Sequence, residues 1–116
     1  LLSIQSLLCN NPLHNEPGFE NEVGIRNDLY NTIVEYDTYN HLIYKNGFDI
    51  HPLFDSFQPA INNHLLKNKE NILSKIKKHK EKHPKRKNIS LNIYNIVMTI
   101  DYPKLENILT IKLNNI

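Results

Sequence analysis

The chain begins LLSIQSLLCNNPLHNEPGFE, residues 1–20, and the reading of this stretch decides how the rest is taken. Leu1, Leu2, Ile4, Leu7 and Leu8 recur at helical spacing, with Ser3, Gln5 and Ser6 between them. Leu1, Ile4 and Leu8 share one face, which predicts the C-terminal part of an amphipathic helix. Nothing ahead of Leu1 can accept hydrogen bonds from the first amides, so a helix entered in mid-course is expected, with part of its domain upstream. Asn10-Asn11-Pro12 then breaks the helix, and Glu16-Pro17-Gly18 carries turn chemistry.

Beyond this stretch the pattern stays helical. Ile25, Leu29, Ile33, Tyr36, Asn40 and Ile43 follow three- and four-residue steps, predicting a helix from about Glu22 with Gly47 just past its end. Phe54, Phe57, Ile61, Leu65, Ile72 and Ile76 mark a longer helix to about Lys82, with Pro59 early enough to be tolerated in the first turn. After Pro84 the period changes to two. Leu91 and Ile93 alternate with polar residues, Ile96, Met98 and Ile100 keep the two-residue step, and together they predict a strand over 88–100. Asp101 followed by Pro103 reads as a cap and first-turn proline for a short closing helix carrying Leu105, Ile108, Leu109 and Ile111. The 83–89 stretch is the one credible internal boundary, dividing the chain into 1–82 and 83–116.

The chain has 116 residues, 40% hydrophobic, which suits one domain. Its formal charge is +2, with much of the basic character between Lys67 and Lys87, so no global nucleic-acid field is indicated. A single Cys excludes an internal disulfide and fits a reducing, intracellular setting, cytoplasmic or nuclear. No apolar run approaches the roughly 20 residues that span a bilayer, so no membrane is expected.

Few residues carry an independent chemical signal. Cys9 follows Leu7-Leu8 at the C-terminal end of a helix, where the dipole disfavours a thiolate, and reads as a buried filler. His79 and His83 stand four apart on a helix, a zinc-pair spacing. They lack a third ligand and sit among lysines, so no metal is expected. KIKKHKEKHPKRK invites a nucleic-acid reading, but aromatic side chains for base stacking are absent from it. Three scattered glycines exclude a phosphate loop.

The opening stretch says more by likeness. LLSIQSLLCNNP followed by NEPGFE resembles the crossover helix and following loop of ubiquitin-conjugating enzymes, and NEPGFE is similar to the version found in very large members. There the next helix often bears Asn and Tyr with an early Arg, and NEVGIRNDLYNTIVEY, residues 21–36, is compatible with that. Residues 21–82 agree in helical layout, whereas the resemblance does not extend to 83–116.

The resemblance implies an α+β fold, a four-stranded antiparallel sheet with flanking helices, of which this chain is the C-terminal, mostly helical portion. It implies a cysteine that takes ubiquitin from the activating enzyme as a thioester and passes it, with a ligase, to a lysine. That cysteine and the family's His-Pro-Asn motif would fall before Leu1. Cys9 matches the family's non-catalytic Cys, and His51-Pro52 is followed by Leu53. By position, Leu2 and Ser6 would face the donor ubiquitin, while Asn15, with Glu16 as the nearest carboxylate, would help orient the incoming lysine. No cofactor is implied. A non-catalytic module binding ubiquitin or a ligase and a basic helix binding nucleic acid are the rival expectations.

Overall fold

The computed structural model describes residues 10–116, and the expectations for Leu2, Ser6 and Cys9 lie outside them. The fold is α+β in the broad sense: mostly helical, with one small antiparallel sheet among the described residues.

Helix α1 (Ile25–Asp37) starts after Gly24, whose φ of +93° lets the chain turn into the helix at little steric cost. The rod does not stop at Asp37. It widens into a π-helical segment, Thr38–Lys45, and closes with a single α turn, Asn46–Phe48. At the junction the Thr38 hydroxyl donates to the Val34 carbonyl at 2.9 Å. A side chain that engages the preceding turn in this way bends helices. Gly47 is therefore not a residue past the helix end. It is buried inside the last turn, where a Cβ would stand 3.1 Å from Leu65 Cδ1.

His51 opens the next segment, its Nδ1 accepting from the Leu53 amide at 3.2 Å. A 3₁₀ stretch, Pro52–Phe57, leads directly into α2 (Gln58–Lys82), with Pro59 in the first turn where its missing amide hydrogen does no harm. Leu65, Ile72 and Ile76 form its buried stripe. Gln58 Nε2 donates to the Gly47 carbonyl at 3.0 Å, and the Tyr39 ring lies 5.2 Å from that of His79. The two rods thus run back along each other as a helical hairpin.

The strand expected over 88–100 is two strands. β1 (Lys87–Leu91) pairs antiparallel with β2 (Ile96–Ile100), from Lys87 opposite Ile100 to Leu91 opposite Ile96. The period-2 pattern breaks at residues 92–95 because the chain reverses there. Tyr94 and Asn95 adopt φ of +55° and +51°. Asn tolerates that region, and Tyr enters it only where its surroundings hold it. Across the sheet the Thr99 hydroxyl donates to Asn88 Oδ1 at 2.7 Å.

Helix α3 (Tyr102–Asn114) is capped as its sequence requires: Asp101 Oδ1 accepts from the Lys104 amide at 3.1 Å. It buries Tyr102, Leu105, Leu109 and Leu113, whereas Ile111 points outward. These side chains join Ile89, Leu91, Ile93 and Ile100 of the hairpin and Leu13, Ile33, Tyr36, Leu65, Ile72 and Ile76 in one core. Among the described residues, more than half of these buried side chains come from residues 83–116.

Candidate functional site

Residues 10–22 form a loop that the face of α1 ties down at several points. Leu13, fully buried in a short 3₁₀ turn (Pro12–Asn15), is its apolar anchor. Asn11 Oδ1 accepts from Asn27 Nδ2 at 3.3 Å and from Asn31 Nδ2 at 3.1 Å. His14 Nε2 donates to the Glu22 carbonyl at 2.7 Å, which fixes its tautomer. Glu22 in turn pairs with Arg26 at 3.2 Å, and the Arg26 guanidinium lies 5.5 Å from the centre of the Phe19 ring. This last is a cation–π geometry.

Glu16 sits at the centre of the arrangement. Its Oε1 accepts from the Tyr30 hydroxyl at 3.3 Å and its Oε2 from the Tyr94 hydroxyl at 3.0 Å. One carboxylate therefore joins the loop, α1 and the tip of the β-hairpin. Burial, then the Glu16 charge, raises the Tyr30 pKa, and the hydrogen bond to Glu16 raises that of Tyr94. Both phenols stay protonated as donors. Each carboxylate oxygen accepts one of these bonds and keeps a lone pair for a further donor. Gly18, at φ +88°, makes the turn that follows. Its amide donates to Glu20 Oε1 at 3.2 Å, and amide hydrogen bonds at Glu20 and Gly18 hold the Glu20 carboxyl below its usual range.

The two lysine-orienting candidates thus have different settings. Asn15 is exposed at the end of the 3₁₀ turn, while Glu16 is half-buried and held by two tyrosines. Sequence reasoning missed Tyr94, separated from Glu16 by 78 positions. No local pattern signals such a pair. Tyr30, Asn27, Asn31 and Arg26 belong to the Asn/Tyr-bearing segment with an early Arg, and all four touch the loop.

His79 and His83 meet an aromatic partner. The Tyr102 ring stacks on both, with centroids 5.4 and 5.6 Å away, and meets Tyr36 edge-on at 5.1 Å. Burial is the main cause that lowers both histidine pKa values; Lys82 and, for His83, Lys87 add to it, while Glu35 opposes it. Burial also pushes the Tyr102 hydroxyl well above the ordinary phenol range. Among the described residues, no group of three or more His, Cys, Asp or Glu could hold a metal ion.

Lys75, Lys77, Lys78, Lys82 and Lys85 to Lys87 are exposed at one end of α2 and in the turn after it, whereas Lys80 pairs with Glu106 at 2.8 Å. No helix among the described residues is long and apolar enough to cross a membrane. No protein-family model, curated protein or solved structure matches this chain.

Proposed function

We propose that the chain is the C-terminal part of a ubiquitin-conjugating domain whose catalytic cysteine lies upstream of residue 1. The observation that carries the reading is the stretch in residues 1–20 that resembles the family's crossover helix and NEPG(F/Y)E loop. Supporting it, the residues of α1 that the resemblance picks out, Arg26, Asn27, Tyr30 and Asn31, are those that tie the loop down.

In this reading the lysine amine attacks the thioester carbonyl, the cysteine thiolate leaves, and the ammonium formed loses a proton. The loop supplies polar groups for the amine. Glu16 offers a fixed carboxylate with lone pairs to spare, and Asn15 a nearby amide. Neither is the nucleophile. Ubiquitin would rest on the helix face bearing Leu2 and Ser6, and the activating enzyme and ligase would engage the complete domain.

The test uses the natural polypeptide that contains these residues, incubated with ubiquitin, activating enzyme and ATP. A reductant-sensitive ubiquitin adduct that persists in Cys9→Ser is the expected result. An adduct lost in Cys9→Ser would move the nucleophile into this chain. No adduct at all, together with perturbed resonances on titrating labelled ubiquitin, would leave a non-catalytic binding module.

A further inference from the structure

Helix α2 carries a second stripe beside the one that faces the core. Phe57, at its N-cap, and Ala60, His64, Asn68, Asn71 and Lys75 recur at three- and four-residue steps and form one wall of an open groove of about 670 Å³. The opposite wall is the end of the first rod, with Tyr39, Leu42, Ile43 and the buried Gly47. Much of that wall is π-helical, a geometry that often marks functional sites. Leu42 is 61% exposed and Phe57 58%, although each has an apolar neighbour across the groove.

The chemistry changes along the groove. At the Phe57 end the Phe54 and Phe57 rings lie 6.4 Å apart, with Leu53 beside them and also exposed. At the other end stands Lys75, and Lys78 and Lys82 continue its stripe at the same steps, all three exposed. No Asp or Glu lines the groove. Beyond the cationic end, the Glu35 carboxylate lies 3.8 Å from His79 Nδ1. From Phe57 to Lys75 the wall runs about 27 Å, which matches a partner helix of about five turns.

We infer that this groove docks an amphipathic helix of a partner protein, its apolar side chains against Leu42 and Phe57 and its carboxylates over Lys75, Lys78 and Lys82. The groove combines apolar side chains, Leu42, Ile43, Phe57, Ala60 and Ile61, with the polar His64, Asn68 and Asn71 and a cationic end at Lys75, and an acidic amphipathic helix matches both the apolar wall and the charge. A second copy of this chain would bring its own positive charge to the lysines. A nucleic acid would satisfy the lysines but not the aliphatic wall. The inference does not depend on the conjugation reading, because residues 38–82 build the whole site.

Fluorescence anisotropy with two synthetic helical probes tests it. Both carry leucines at three- and four-residue steps over about five turns; one has glutamates on the flanking positions and the other lysines. The glutamate probe is expected to bind at least about tenfold tighter, and to weaken as sodium chloride rises from about 0.05 to 0.5 M. Leu42→Glu and the double variant Lys75→Glu/Lys78→Glu should each lower its affinity by about tenfold or more. These residues are exposed, and unchanged circular dichroism melts would show that the fold is kept. Equal affinity for the two probes would overturn the proposal, as would binding that survives Leu42→Glu. So would sedimentation showing a dimer that Leu42→Glu dissolves, since the second copy would then be the occupant. Tighter binding of a single-stranded oligonucleotide, abolished by the lysine variant and indifferent to Leu42→Glu, would assign the surface to nucleic acid instead.

Discussion

Asp101 and Tyr102 are adjacent in sequence and do opposite things for stability. The Asp101 carboxylate satisfies an amide at the start of α3 that would otherwise be left without a partner. Asp101→Ala should cost about 1 kcal/mol in urea denaturation, and Asp101→Asn should restore most of it. The Tyr102 hydroxyl is buried and has no hydrogen-bond partner among the described residues. Burying a lone hydroxyl is unfavourable, so Tyr102→Phe should leave the stability unchanged or raise it by about 1 kcal/mol. A loss beyond about 1 kcal/mol would mean that the hydroxyl has a partner after all. Glu16 offers a third contrast. Glu16→Ala removes the acceptor of two tyrosines and should cost about 1 kcal/mol, while Glu16→Gln keeps one acceptor oxygen, puts an NH2 donor in place of the other and loses the charge. If Glu16 orients a lysine, Glu16→Gln in the natural polypeptide should slow ubiquitin discharge to free lysine without slowing thioester formation. Equal discharge rates for the two proteins would leave Glu16 a structural tie only.

At the scale of elements, the helical hairpin depends on a close approach at Gly47. The Cβ of an alanine there would already press on Leu65, a flexible neighbour that gives by a few tenths of an ångström. Valine adds two methyl groups to the same contact, so Gly47→Val should cost about 1–3 kcal/mol. The companion change Leu65→Ala in the Gly47→Val background should recover part of that loss, and a thermal-melt double-mutant cycle measures the coupling. Helix periodicity in the sequence located both rods. It could not show that the first continues through π turns to Phe48, since that depends on which carbonyl each amide finds and on the Thr38 hydroxyl. Strand character over 88–100 was legible as a two-residue period, but as one strand and not as a hairpin. Its reversal at Tyr94 and Asn95 lacked the glycine that usually marks one, because the buried Ile93 and the tie to Glu16 hold the strained residues in place.

For the whole molecule, the stack of His79 and His83 on Tyr102 couples the end of α2 to α3 and makes stability depend on pH. Burial, with Lys82 and Lys87 nearby, lowers both histidine pKa values, and Glu35 only partly offsets this. The unfolded chain takes up protons at these sites below about pH 6.5, while the folded chain resists. The stabilisation is thus complete above that pH and is lost as pH falls through the folded-state values. The melting temperature should drop between about pH 7 and pH 5, and His79→Gln/His83→Gln should flatten that part of the profile. A wild-type profile flat across this window would place both rings in water.

The sequence by itself determined the courses of α1, α2 and α3, the Asp101 cap and the buried stripe of Leu65, Ile72 and Ile76, because periodicity and capping are properties of neighbouring residues. It also placed Asn15 and Glu16 in one loop. Only the tertiary structure decided that Tyr94 reaches Glu16, that two histidines stack on Tyr102, and that more than half of the buried core side chains among the described residues come from 83–116. Among the described residues, it alone left one flank of α2 open beside Leu42. Each of these joins side chains from elements far apart in sequence, and such pairings arise only when those elements bury their apolar faces together.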